Sequence, residues 1–180
     1  GQHTELSLSQ DAIEAQVYDY ALLQDRSTAA AFYADNPKEY AHVPENFVKL
    51  ADMVLAHSPE CKIILEHTWG YKKEDCKGFK TIEKFNDMLR EGCATIAALR
   101  NAEVSHIGDA FIKVNTKKLG NSLHASDDHH QSYYGSYLKA CVNYLMITGE
   151  PFNEHVADCG IDPQKAEILR KAAEKTVLGE

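Results

Sequence analysis

The run Asp127-Asp128-His129-His130-Gln131-Ser132-Tyr133-Tyr134-Gly135-Ser136-Tyr137-Leu138 decides how the rest of this chain is read. It opens on an Asp and a His three residues apart, in what reads as a loop. It then enters an apolar stripe at helical spacing: Tyr137, Leu138, Cys141, Val142 and Leu145. A carboxylate so placed can orient one imidazole nitrogen and leave the other free to take a proton from a hydroxyl. His129 has no acidic residue three positions before it. The spacing therefore picks His130 as the base and Asp127 as its orienting carboxylate.

The fuller pattern D-x-x-H-x-S-x-x-G-x-Y-L, with the later segment LMITGEPF (145–152), resembles the last motif block of the SGNH (GDSL-like) hydrolases, in a bacterial branch of that superfamily. The resemblance implies a flavodoxin-like three-layer α/β sandwich around a parallel sheet of about five strands. It also implies a Ser-His-Asp triad acting on acyl or acetyl esters, carbohydrate esters among them. No cofactor is implied, and the setting that the resemblance implies is bacterial, secreted or periplasmic; the residues themselves leave the compartment open. In the family the third strand ends in an Asn-bearing block that supplies an oxyanion donor. Here the matching place, Leu22-Leu23-Gln24-Asp25-Arg26-Ser27, holds Gln24. A side-chain amide there can donate to a developing oxyanion, and one such donor is worth about 3 kcal/mol. The family nucleophile lies in a Gly-Asp-Ser or Gly-Asn-Ser block after the first strand, near the N-terminus, and no such block stands there in these 180 residues; the run Gly120-Asn121-Ser122 lies far downstream of that place. The first serines, Ser7 and Ser9, follow no apolar strand. Ser27 lies in another block and is the weaker choice of nucleophile. Counted back from Asp127, the visible strands match the family's third, fourth and fifth. The expectation is one domain over 1–180, N-terminally incomplete, with its first two strands and its serine before Gly1.

Upstream, the pattern alternates. Ser7-Leu8-Ser9-Gln10 has capping-box spacing and predicts a short helix through Ala15. Tyr18 to Leu23 reads as a buried strand, and the stretch Asp35 to Tyr40 as loop. Pro44 suits a first helical position, and Phe47, Leu50, Ala51, Val54 and Leu55 form a stripe that Ser58-Pro59 stops. Lys62 to His67 is a second strand, and Thr68 to Lys80 a loop. Phe85, Met88, Leu89, Cys93 and Ile96 mark a longer helix, and Ala102 to Ile107 a third strand. Gly108 to His124 reads as mixed loop with a short helix near Ala110. Gly149 and Pro151 end the stripe that follows Asp127, and Asp162-Pro163 caps a last helix to about Val177. Strands alternating with helices predict a parallel sheet, with ligands beyond the carboxyl ends of its strands. If the sheet is incomplete, the strand at Tyr18 to Leu23 has a bare flank, and the chain is expected to self-associate there.

Composition narrows the partners. Lys and Arg number 19 against 27 Asp and Glu, a net charge of −8, which argues against nucleic acid or an anionic membrane surface. No apolar run approaches the ~20 residues of a membrane span. The five cysteines form no C-x-x-C; Cys61 and Cys76 flank a strand and its loop and could pair. His67-Thr68-Trp69, after the second strand, suggests substrate contacts, with Trp69 either stacking on a sugar or plugging the core. The chain reads foremost as an ester hydrolase. A non-catalytic domain that binds a glycan or partner through the same rim is the alternative. A metal-dependent hydrolase using His124, Asp127, Asp128, His129 and His130 is a third reading.

Overall fold

The computed structural model describes residues 7–72 and 76–179. In chain order the elements are α1 (Ser7–Glu14), β1 (Tyr20–Leu23), α2 (Ala29–Asp35), α3 (His42–His57), β2 (Lys62–Glu66), α4 (Ile82–Ala98), β3 (Glu103–Ser105), α5 (Ile107–Lys113), α6 (Thr116–Leu119), α7 (Tyr133–Thr148) and α8 (Pro163–Val177). The sheet has three parallel strands in the order β1-β2-β3, with helices around it, so the predicted α/β class holds. β1 pairs with β2 from Tyr20 opposite Lys62 to Leu23 opposite Leu65. β2 is central, and Ile63, Ile64 and Leu65 are all buried, as an uninterrupted apolar run in a covered parallel sheet requires.

Several predicted elements move; Pro44, expected at a first helical position, is the third residue of α3, and β2 ends at Glu66. β1 begins two residues later than its apolar run, because Tyr18 spends its backbone N–H on Ser58 Oγ instead of a strand partner. Asp35 to Tyr40 is preceded by a helix not foreseen in the sequence, α2, whose alanines favour helix without marking a face. β3 is only three residues long; Ile107, read as its end, starts α5 and is fully buried there.

The chain divides into two compact units, 1–67 with 88–104, and 68–87 with 105–180. The first unit holds β1, β2, most of β3, α1 to α3 and most of α4. In it α4 comes so close to α2 that a Cβ at Gly92 would lie 2.0 Å from the Ala30 carbonyl oxygen. Arg100 grips Asp52 with both ends of its guanidinium, at 2.5 and 2.8 Å. β1 is an edge strand in the described residues. Its open flank borders an apolar groove of about 350 Å³, lined in part by Ile13, Tyr20, Leu22, Gln24 and Leu50.

The second unit is built on α5, α7 and α8. Ile107, Leu119, Leu138, Val142 and Leu169 are completely buried at its centre. Asp162 caps α8 by accepting from the backbone N–H groups of Gln164 and Lys165, with Pro163 in the first turn. Arg170 donates to Tyr137 Oη at 2.9 Å and to Asp158 at 2.5 Å, tying α8 to α7 and to the loop between them. Cys61 is buried and free; the side chain of Cys76, with which the sequence could pair it, lies outside the described residues.

Candidate functional site

The motif loop lies in the second unit and is closed by its own backbone. His124 and Gln131 form an antiparallel bridge, Ala125 N–H donates to His130 O, and Ser132 N–H donates to Leu123 O. Ser132 caps α7 by accepting from Gly135 N–H, while its own hydroxyl donates to Ser122 O at 2.7 Å. Gly135 lets the helix start against this loop, since a Cβ there would sit 2.3 Å from Leu123 O. Tyr137 and Leu138, the next motif positions, are core residues. Much of the motif is therefore mechanical: it seats Asp127 and His130.

Asp127 and His130 form the pair that the spacing suggested. Asp127 Oδ2 lies 2.5 Å from His130 Nδ1, while Oδ1 accepts from the backbone N–H groups of His129 and His130, both at 3.0 Å. The bond from His130, then those two amides, hold the Asp127 carboxyl well below the usual carboxylate range. An ionised carboxylate only accepts, so neutral His130 carries its proton on Nδ1 and presents a lone pair at Nε2. The His130 side chain is 80% exposed and Asp127 45%. Among the described residues none is bonded to His130 Nε2. Chemically, this is an oriented base open to solvent.

The segment after β2 runs along this loop. Trp69 Nε1 donates to His129 O at 2.9 Å, and Lys72 N–H donates to Asp128 O at 3.0 Å. Tyr71 meets the His129 ring edge-on, with centroids 4.4 Å apart. His124 Nε2 lies 2.9 Å from Gly70 O; a carbonyl only accepts, so that nitrogen carries the proton. Burial pushes the His124 imidazole down, toward its neutral form. Asp128 takes a left-handed backbone, φ 61°, which Asp tolerates better than most residues.

The other predicted site residues are placed differently. Gln24 follows β1 in the first unit, exposed at the groove beside the open strand edge. His67 follows β2 and is fully buried. Trp69 is 5% exposed and stacked flat on Phe111 at 4.8 Å, which gives it the core role that the sequence left open. Such an enclosed ring has no free face for a sugar. His124, Asp127, Asp128, His129 and His130 do not bring three ligand atoms within reach of one ion. The sequence reading gave no role to Gly70, Tyr71 or Ser122. Gly70 and Ser122 act through their carbonyl oxygens, which carry no residue signature, and Tyr71 through its ring against His129.

No family model matches the sequence, and no curated protein matches it. Solved structures do. A DUF4886 family protein from Bacteroides uniformis ATCC 8492 superposes with a TM-score of 0.77 and 21% identity over 94% of this chain. This chain spans 66% of that protein's length. A putative SGNH hydrolase from Slackia heliotrinireducens gives a TM-score of 0.62 and 22% identity, covering 78% of this chain and 72% of that one. The fold is thus SGNH-hydrolase-like, as the motif block suggested.

Proposed function

We propose that Asp127 and His130 are the acid–base pair of a serine ester hydrolase acting on acyl or acetyl esters, carbohydrate esters among them. The observation that carries this reading is the 2.5 Å Asp127–His130 contact, with His130 Nε2 left unbonded among the described residues. In this reading a serine Oγ–H gives its proton to His130 Nε2 as Oγ bonds to the ester carbonyl carbon. The tetrahedral oxyanion then collapses, the C–O bond to the alcohol breaks, and His130 returns the proton to the leaving alkoxide. Water repeats the sequence on the acyl-enzyme and frees the acid and the serine. Asp127 stays ionised throughout and stabilises the imidazolium. Gln24 is proposed as an oxyanion donor. The nucleophile is proposed to lie in a Gly-Asp-Ser or Gly-Asn-Ser strand beyond these 180 residues. Two observations support this: β1 is an edge strand among the described residues, and this chain spans 66% of the length of the DUF4886 neighbour.

The test is hydrolysis of a small acyl ester by a longer protein that includes such a serine. His130→Ala should remove nearly all turnover, and Asp127→Asn should cost somewhat less, since the His moves the proton in both half-reactions. The 180-residue chain alone should be close to inactive. Robust turnover by this chain alone, abolished by Ser27→Ala, would overturn the assignment.

A further inference from the structure

We infer that Trp69 is a positioning residue for the Asp127–His130 pair, acting through its indole N–H rather than through its ring. The inference rests on the reading of that pair as acid and base. The peptide unit joining His129 to His130 is planar, so its carbonyl and its N–H turn together. The carbonyl, His129 O, accepts from Trp69 Nε1 at 2.9 Å. The N–H, on His130, donates to Asp127 Oδ1 at 3.0 Å. One peptide plane is thus held from opposite sides, by a buried indole and by the carboxylate that orients the imidazole. Its orientation sets the direction in which the His130 side chain leaves the backbone. A hydrogen bond at the carbonyl also polarises the N–H of the same amide and strengthens what that N–H gives to Asp127.

The indole is itself enclosed. It stacks on Phe111 with an interplanar angle of 8°, and Phe111 meets the His124 ring edge-on at 5.7 Å. His124 closes the far end of the same loop through its bridge to Gln131. The exposed base therefore has a rigid support beneath it, which an 80%-exposed side chain cannot supply by its own packing.

The experiment is nitrogen-15 NMR of the His130 imidazole in this chain, which reads the neutral tautomer directly and requires no activity. Unmodified protein should show mainly the Nδ1–H tautomer, against the Nε2–H preference of free histidine. Trp69→Phe keeps a ring in the stack and deletes the N–H. It should shift the tautomer ratio toward Nε2–H at least twofold, while amide spectra away from residues 124–132 stay unchanged. If Trp69→Phe does not fold, 3-benzothienylalanine at position 69 replaces the N–H by sulfur in the same shape, and the same shift is expected. An unchanged tautomer ratio in either folded variant would overturn the inference. Asp127→Asn separates the two readings. If it leaves the tautomer unchanged, the acid–base pair itself is wrong. If it shifts the tautomer and Trp69→Phe does not, only the positioning role of Trp69 is lost.

Discussion

Asp127 receives three donors, and its acidity follows from them. The native carboxyl is held below its unfolded value of about 3.9. For a depressed carboxyl, the stability that the charged form contributes is present above the unfolded value and is lost as pH falls through the native one. The loop at 124–132 should therefore stay ordered through pH 4 and loosen only at stronger acid. The His129 and His130 amide shifts should titrate below the usual carboxylate range; a midpoint near 4 would show that the carboxylate does not hold those amides in solution. Cysteine chemistry is also set residue by residue. Burial pushes the Cys93 and Cys141 thiols up to about 12, whereas Cys159 is exposed. Iodoacetamide on the native protein should therefore alkylate Cys159 and spare Cys93 and Cys141, since the thiolate is the nucleophile. Peptide mass mapping checks this. The Asp–His spacing was legible in the sequence because both groups lie in one local turn. Trp69 was not, because its partner, the carbonyl of His129, belongs to any residue and lies 60 positions away.

At the scale of elements, the start of α7 governs the site. Ser132 and Gly135 act together, one capping the helix and the other letting it approach Leu123. Gly135→Ala places a Cβ against a backbone oxygen that cannot step aside, so it should cost about 3 kcal/mol, the upper end of overpacking effects. Gly149→Ala at the other end meets only a left-handed backbone, φ 67°, with open space around it. That substitution should cost about 1 kcal/mol. Urea unfolding of both variants checks the order, and equal costs would mean that the loop yields to the new methyl. The helices with apolar stripes, α3, α4 and α7, were readable because their period is written in side chains, and α8 was readable from its Asp162-Pro163 cap. The short α2, α5 and α6 were read poorly or not at all, because four to seven residues carry too little periodicity to stand out.

At the scale of the whole molecule, the open flank of β1 is the main liability. Among the described residues β1 is an edge strand, and with Leu22 37% exposed beside an apolar groove that edge is a template for another chain. The isolated chain should self-associate as its concentration rises, and Leu22→Lys should suppress this by placing a charge on that edge; sedimentation velocity across a concentration series reads both. Association that is equally strong in the variant would put the contact elsewhere. By itself the sequence determined the α/β class, the parallel order of strands, the main helices and the Asp127–His130 pair. Each of these follows from local periodicity or from a spacing within one turn. The tertiary structure decided what depends on distant chain segments meeting: the edge position of β1, the enclosure of His67 and Trp69, and the indole bond beneath the motif loop. Burial and backbone hydrogen bonds depend on three-dimensional neighbours, and no pattern of residue types along a single chain specifies those neighbours.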